Sequence, residues 1–169
     1  MNEPARSSLF RTFDELGIET STVEHPPVFT VEEARQHTGH LPGGHCKNLF
    51  LKDKKGGFWL IVCLDDQPVK VSHIQKIIGA PRLSFAKPEA LDDVLGVQPG
   101  AVTPFALIND VERQVTPVLD SKMLEKPVLN YHPLSNDATT AIKPGDLIKF
   151  IKSLSYEPIT IDLDPPAET

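Results

Sequence analysis

The sequence predicts a single α/β (α+β) domain with a mixed, partly antiparallel β-sheet surrounded by helices. Three observations lead to this prediction. Strand-like and helix-like segments alternate along the 169 residues, short hairpin connections occur beside longer crossovers, and no internal repeat is visible. A chain of this length can bury a substantial core without disulfides. We expect that core to span about residues 9–163, followed by a flexible polar tail at 164–169.

The composition is that of a soluble globular protein, with 40% hydrophobic and 24% charged residues. The longest apolar run, Phe58–Leu64, is too short to cross a bilayer, and the N-terminus lacks a secretion pattern. We therefore expect a cytoplasmic protein that does not bind membranes. The net charge of −6 argues against extended non-specific binding to nucleic acid, although lysines and arginines in the first half leave room for a local basic surface.

The first forty residues predict two helices separated by a strand. Apolar residues at helical spacing indicate a helix over residues 5–17, and residues 18–25 are typical of a strand that a Pro-Pro pair ends. A capping-box pattern then starts a second helix, from Thr30 to Gln36. Thr30 is either a plain structural cap or part of an anion or carbonyl site at that helix N-terminus.

The centre of the chain predicts a β-hairpin preceded by a glycine-broken loop. Its strands are Asn48–Asp53 and Phe58–Leu64, and the second strand is apolar enough to be buried on both faces. Lys47 is expected where the loop enters the first strand. It is either an ordinary solvated lysine or a fixed positive charge that faces a cleft.

The remaining elements follow from periodicity and from proline and glycine positions. Helices are predicted over Val69–Ile78 and Pro88–Leu95, then a Pro/Gly loop leads into a strand at Phe105–Ile108. That loop either presents main-chain amides in fixed directions or is only a tight connection. The last third predicts, in order, a strand at Gln114–Leu119, a helical turn at Ser121–Glu125, strands at Val128–Tyr131 and Ala138–Ile142, a helix at Lys143–Leu154 and a strand at Pro158–Leu163.

Most familiar catalytic signatures are absent. There is no dinucleotide fingerprint, P-loop, nucleophile elbow or paired-cysteine zinc pattern. The histidines at 37, 40 and 45 and Cys46 fit no standard metal spacing, and Cys46 beside His45 is too local to predict a Cys-His nucleophile. The only other cysteine, Cys63, is expected in the core, and two cysteines are too few for a disulfide framework. What remains is Lys47, an amide-bearing loop around Gly100, and His132 at a strand end, a set that can bind and polarise a carbonyl but lacks a strong base.

Three stretches resemble the YbaK/ProX family of aminoacyl-tRNA editing proteins, in matching order and spacing from about Leu9 to Leu163. They are Lys47–Leu51, Gly100–Phe105, and Tyr131–Leu134 followed by Asn136, Thr139–Ile142 and Asp146–Phe150. The resemblance implies the editing-domain fold associated with prolyl-tRNA synthetase. It is greatest to the free-standing ProX type, which clears alanine from proline tRNA, because Asn48 and the Asn130–Pro133 segment differ from the YbaK type that removes cysteine.

The resemblance implies a trans-acting hydrolase that deacylates mischarged tRNA(Pro), most simply Ala-tRNA(Pro), without cofactor or metal. Lys47 would orient the ester or terminal phosphate and stabilise the negative charge of the transition state. The Gly100 loop would complete the clamp, and the ribose hydroxyl of the substrate would help to position water. The predicted catalytic residues are Lys47, Gly100 and His132, and the predicted substrate-binding residues are Asn48, Thr30, Ala101, Thr103 and Pro104.

Several alternatives remain open at this point. His132 can instead close a turn, and the protein can be a Cys- or Ser-specific deacylase of the same family, a non-catalytic nucleic-acid-binding module, or a regulatory domain. The presence of Lys47 argues against a regulatory domain that has lost activity. The expected partners are the tRNA acceptor end and prolyl-tRNA synthetase, and the expected assembly is a monomer or weak dimer.

Overall fold

A mixed sheet of eight strands is the framework of the computed structural model, which describes residues 3–164, with side chains from residue 6 onward. The strands are β1 (Ser21–Glu24), β2 (Gly44–Asp53), β3 (Phe58–Leu64), β4 (Leu83–Phe85), β5 (Val115–Asp120), β6 (Leu129–Tyr131), β7 (Ala138–Ile142) and β8 (Ile159–Ile161). The helices are α1 (Glu3–Leu16), α2 (Val31–Thr38), α3 (Val71–Ile78), α4 (Pro88–Ala90, continued by a π-helical segment at Leu91–Leu95) and α5 (Pro144–Ser153). The predicted fold class is confirmed. No helix in the described range is long and apolar enough to span a membrane.

The strands follow the order β1-β7-β6-β2-β3-β5-β8, and β4 pairs separately with β2. Parallel pairing joins β2 to β6, β3 to β5 and β5 to β8, whereas the other pairs are antiparallel. The β2–β3 hairpin at the centre is the one that the sequence predicts, and its turn joins the mixed strand β2 to the apolar strand β3. Mixed pairing of this kind needs both tight hairpins and crossover helices, and the chain supplies both.

Strand β2 changes partners along one of its edges. Gly44 and His45 pair with β6, and Leu51–Asp53 pair with β4, while the opposite edge pairs with β3 from Cys46 to Lys52. Between the two pairings, residues 46–49 have a strand neighbour only on the β3 side. The sheet therefore has a gap in its middle, next to the end of β6.

The hydrophobic core lies on both faces of the sheet. On one face, α1 and α5 bring the rings of Phe13 and Phe150 against Phe105, with centroids 5.2 to 5.7 Å apart. On the other face, α3 covers a smaller cluster that includes Ile61 and Cys63. Leu60 and Val62 belong to the first cluster, so β3 is buried on both faces, as its apolar sequence predicts.

The structure corrects the sequence prediction at three places. Strand β2 begins at Gly44 rather than Asn48, so Lys47 lies inside a strand and not at its mouth. The predicted strand Phe105–Ile108 is a 3-10 helix, Pro104–Asn109. Pro104 suits a first helical position, and Thr103 Oγ1 caps the helix by accepting a hydrogen bond from the Phe105 amide. The three-residue strand β4 is not predicted at all, since nothing in its own sequence specifies the partner that it pairs with.

Asp164 is held against the folded body at the end of β8. Its carboxylate accepts a hydrogen bond from Gln67 Nε2 at 2.9 Å and pairs with Lys122, and its carbonyl contacts His73 Nε2 at 3.0 Å. The predicted tail at 164–169 thus begins with a residue that has defined contacts. Residues 165–169 lie outside the described residues.

Gly43 fixes the approach of β6 to the start of β2. Its φ is +97°, and a Cβ atom placed there would lie 2.2 Å from Val128 Cγ1 and 2.4 Å from the Val128 carbonyl oxygen. The same carbonyl accepts the Gly44 amide at 2.8 Å. Only glycine permits this contact, because any side chain at position 43 would push Val128, the residue before β6, away from β2.

We expect Gly43→Ala to destabilise the fold far more than Gly56→Ala. Gly56 also has a positive φ, +92°, but a Cβ atom there meets nothing within 4 Å. Gly56→Ala should lower the free energy of unfolding by about 1 kcal/mol, the cost of the left-handed conformation. Gly43→Ala should cost at least about 2 kcal/mol more, because the backbone of residue 128 must move. Urea denaturation of both variants checks this, and equal losses would contradict it.

Candidate active site

A cavity of about 230 Å³ opens at the gap between β2 and β6. Four segments line it: Cys46–Asn48 of β2, residues 130–132 at the end of β6, the loop around Gly100, and the segment 28–38 that carries α2. Asp65, just after β3, completes the rim. Strand neighbours that diverge commonly leave such a crevice for a ligand.

Five of the eight predicted site residues line this cavity, and three do not. Lys47, Asn48, Gly100, His132 and Thr30 all belong to its wall. Ala101, Thr103 and Pro104 are buried behind that wall, with Thr103 wholly inaccessible and occupied in capping the 3-10 helix. The loop turns inward after Gly100, so those three side chains support the wall from the core and do not face its interior.

The Lys47 ammonium is held at the wall by a main-chain oxygen. Its Nζ donates to the Gln67 carbonyl at 2.7 Å. The Gln67 side chain is buried and donates in turn to the Pro68 carbonyl and to Asp164, at 3.1 and 2.9 Å. The acceptor for Lys47 is therefore fixed, and two of the three ammonium N–H donors remain for a ligand.

Two asparagine amides tie the wall together and leave an acceptor atom unused. Asn48 Nδ2 donates to the Val102 carbonyl at 3.0 Å, and Asn130 Nδ2 donates to the carbonyls of Pro42 and Gly44, both at 3.1 Å. Because carbonyls only accept, these bonds fix which way each amide points. Within the described residues, both Oδ1 atoms are buried without a partner. A buried acceptor without a hydrogen-bond partner costs stability. Such acceptors are expected at a binding site, where a donor group of the ligand can supply the missing hydrogen bond. Sequence reasoning missed Asn130 as a site residue.

His132 is neutral and has a defined tautomer. Its Nδ1 lies 2.8 Å from the Ala138 carbonyl oxygen and must carry the proton. Burial lowers the pKa of His132 below its ordinary value of 6.5. Its Nε2 makes no hydrogen bond to any described residue and is therefore an available acceptor. The alternative in which His132 only closes a turn does not account for the position of the ring, which forms part of the cavity wall.

Cys46 and the nearby histidines do not form a nucleophile or a metal site. Burial raises the pKa of the Cys46 thiol to about 12, so it stays protonated at neutral pH. His45 Nε2 contacts the Leu41 carbonyl at 2.9 Å, and His37 stacks on His25 with centroids 6.2 Å apart. Among residues 6–164, no three His, Cys, Asp or Glu side chains converge as metal ligands.

The α2 segment forms the outer side of the cavity. Thr30 Oγ1 accepts the Glu33 amide at 3.0 Å, which confirms its role as a helix cap. Arg35 on α2 donates to both oxygens of Asp65, at 3.1 and 2.9 Å, and so joins the helix to the end of β3. Phe29 is 71% exposed at the cavity mouth. No local pattern identifies these rim residues, because only the fold brings residues 29, 35 and 65 together.

Gly100 allows the loop to touch the segment before α2. A Cβ atom there would lie 3.1 Å from Asn136 Nδ2, 3.2 Å from Phe29 Cδ1 and 3.3 Å from the Val28 carbonyl oxygen. Asn136 Nδ2 also donates to that same carbonyl at 2.7 Å. The glycine therefore closes this side of the cavity by main-chain contact, and a larger residue would widen it.

Comparison with known proteins places this chain in a family. Residues 25–150 match the aminoacyl-tRNA editing domain model. The chain is 40% identical over 161 residues to prolyl-tRNA synthetase associated domain-containing protein 1 of Danio rerio, covering 94% of this chain and 88% of the relative. It is 34% identical over 154 residues to the prolyl-tRNA editing protein ProX of Acetoanaerobium sticklandii, covering 90% and 94%.

A solved structure described as a candidate trans-editing enzyme for prolyl-tRNA synthetase has the same fold, with a TM-score of 0.74 and 21% identity over 96% of this chain and 98% of that one. The family model and the ProX relative each cover most of the chain. The range that the family model matches includes Lys47, the loop around Gly100 and His132, which line the same cavity. The chain therefore belongs to the YbaK/ProX-type family of aminoacyl-tRNA editing domains.

Proposed function

We propose that this protein is a trans-acting deacylase that hydrolyses mischarged tRNA(Pro), with Ala-tRNA(Pro) as its substrate. One observation carries the proposal: a lysine, an open strand edge, a glycine loop and a neutral histidine, from distant parts of the chain, share one small cavity. These groups are what an ester carbonyl and an adjacent α-ammonium group require. The membership of the editing family and the ProX relative support the same reaction class.

Hydrolysis of the ester builds negative charge on the carbonyl oxygen, and fixed donors lower that barrier. The Lys47 ammonium supplies one donor from the N–H groups that Gln67 leaves unused. Strand β2 supplies a second. Main-chain groups alternate between the edges of a strand, and the Gly44 amide and the Phe50 carbonyl both point to the open edge. Asn48 lies an even number of residues from both Gly44 and Phe50, so its main-chain N–H also points toward the gap.

The substrate's α-ammonium group needs an acceptor, and the Nε2 of neutral His132 lacks a partner among the described residues. The Oδ1 of Asn48 also lacks a partner there, but it is buried and reaches a ligand only if the side chain moves. In this proposal His132 binds the substrate and does not abstract a proton. The attacking water is then positioned by the ribose hydroxyl of the substrate, consistent with the absence of a strong base in the wall.

We ascribe selectivity to the shape of the cavity wall. A cavity of about 230 Å³ is smaller than the roughly 300 Å³ at which pockets for drug-sized ligands begin. It accommodates a small aminoacyl group and leaves the nucleotide at the mouth, where the exposed Phe29 ring offers a face for the terminal base. Attraction for a single methyl group is worth only about 1 to 3 kcal/mol, which is too little to favour alanyl-tRNA over the correct prolyl-tRNA by binding alone. Prolyl-tRNA must therefore be excluded because its ring does not fit.

We expect Lys47→Ala to reduce deacylation of Ala-tRNA(Pro) by roughly 100-fold or more, because one preorganised donor is lost. Initial rates of amino acid release, corrected for the buffer blank, measure this. Lys152→Ala, an exposed lysine on α5, is the matched control and should behave as the wild type. If wild-type protein hydrolyses no mischarged species faster than the blank, the proposed function is wrong.

A panel of tRNA(Pro) carrying alanine, serine, cysteine or proline tests the substrate. We expect alanine to be released fastest and proline not at all, since close contacts at Gly100 limit the space on that side of the cavity. Faster release of cysteine or serine would reassign the substrate within the same family. Release of proline at a comparable rate would contradict selection by size.

We expect kcat/KM to fall as the pH is lowered through the pKa of His132, which lies below 6.5. Above that pKa, Nε2 accepts from the α-ammonium group, whereas below it the ring is a cation that repels the group. The fall should appear mainly in KM and should be absent in His132→Gln, whose side chain keeps an acceptor and does not titrate. A pH profile of the variant that matches the wild type would exclude this role.

A further inference from the structure

A basic surface lies at the end of the central hairpin, away from the cavity. It is formed by residues 52–57, which close the β2–β3 hairpin, and residues 82–87, which contain β4. These two segments are held together by the β2–β4 pairing and by the Lys54 amide, which donates to the Arg82 carbonyl at 2.9 Å. We name this region the hairpin-end surface. Its five cations, all exposed, are Lys52, Lys54, Lys55, Arg82 and Lys87.

The charge of this surface is not neutralised locally. None of the five cations makes an ion pair with a residue in the described part of the chain. The single carboxylate within the two segments, Asp53, is buried and accepts from the Lys55 and Gly57 amides and from Trp59 Nε1. The surface is therefore positive on a chain whose net charge is −6.

Two aromatic rings belong to this part of the sheet. Phe85, the last residue of β4, is 63% exposed, and Lys52 Nζ lies 5.8 Å from the centroid of the Phe58 ring. A basic face that is merely solvated has no need of an exposed phenyl ring. Cations beside an exposed aromatic ring are typical of surfaces that bind nucleic acid.

The hairpin-end surface is connected to the cavity by one rigid strand. Lys47 and Lys52 both lie on β2, five residues apart, which corresponds to about 17 Å along a strand. Because side chains alternate between the faces of a sheet, Lys52 is on the same face as Asn48 of the cavity wall, and Lys47 is on the other face. In a charged tRNA, the phosphates of the acceptor stem begin a few nucleotides from the ester. We propose that the hairpin-end surface binds the phosphate backbone of the tRNA acceptor stem while the aminoacyl end occupies the cavity.

This inference rests on the proposed function, which identifies the RNA as tRNA(Pro). The choice of RNA as the ligand of the hairpin-end surface rests on the complementary charge of its phosphates. An acidic patch on a synthetase has the same sign as the RNA backbone, so the experiment must separate the two. Phosphate contacts make binding steeply dependent on salt, with a slope of about 1 in log Kd against log salt for each contact.

The test uses Lys54→Gln/Lys55→Gln, with Lys143→Gln/Lys152→Gln as a control that removes two exposed cations elsewhere on the chain. Binding of uncharged tRNA(Pro) is followed by fluorescence anisotropy between low and moderate NaCl. We expect the first variant to bind roughly tenfold more weakly at low salt, with a slope reduced by about 1 to 2. The control should match the wild type, and thermal melts should show both variants folded.

A second measurement separates this inference from the proposed function. Alanyl-CCA, a trinucleotide without a stem, should be hydrolysed by Lys54→Gln/Lys55→Gln at the wild-type rate, while Ala-tRNA(Pro) is hydrolysed more slowly at low concentration. If no substrate is hydrolysed by the wild type, the proposed function fails and the binding measurement still decides the surface. Unchanged tRNA binding and salt slope, or weakened binding of prolyl-tRNA synthetase alone, would overturn the inference.

Discussion

The site depends on the change of partners along one edge of β2. Gly44 and His45 pair with β6, and the Asn130 amide fastens that junction by donating to the carbonyls of Pro42 and Gly44. The edge then stays open until β4 joins at Leu51. This arrangement requires a residue without a side chain at position 43, because the Val128 carbonyl occupies the space that a Cβ would fill. The gap that results allows four wall segments to surround one cavity.

Lys47 is available to a ligand because its hydrogen-bond partner is a main-chain carbonyl and not a carboxylate. A carboxylate would neutralise the ammonium and compete with any anionic substrate, whereas a carbonyl orients it and leaves its charge intact. Its acceptor at Gln67 is itself fixed through Asp164, at the end of β8. Within the described residues Lys47 makes no ion pair. The positive charge at the wall is therefore both positioned and uncompensated, which is the condition for stabilising an oxyanion.

In the proposed function, selectivity and affinity arise at two separate places. The cavity, which main-chain contacts close at Gly100, would discriminate by shape and would gain little binding energy from an alanyl group. Binding energy for a large RNA would then come from elsewhere, and the role proposed for the hairpin-end surface is to supply it at a fixed distance along β2. The acidic remainder of the chain opposes non-specific RNA binding, so productive contact would be restricted to ligands that reach both places at once.

The sequence by itself determined the elements whose signals are local, including the amphipathic helices, the central hairpin and the strand Ala138–Ile142, and the family motifs identified Lys47, Asn48, Gly100 and His132 as candidate site residues. Tertiary structure alone decided the start of β2, the existence of β4 and the inward turn that buries Ala101, Thr103 and Pro104. It also decided the contributions of Asn130, Arg35 and Asp65 to the wall and rim. Periodicity and capping reflect neighbours within a few residues, whereas strand partners, burial and the sharing of a cavity depend on residues far apart in the chain, whose positions follow only from packing the whole sheet.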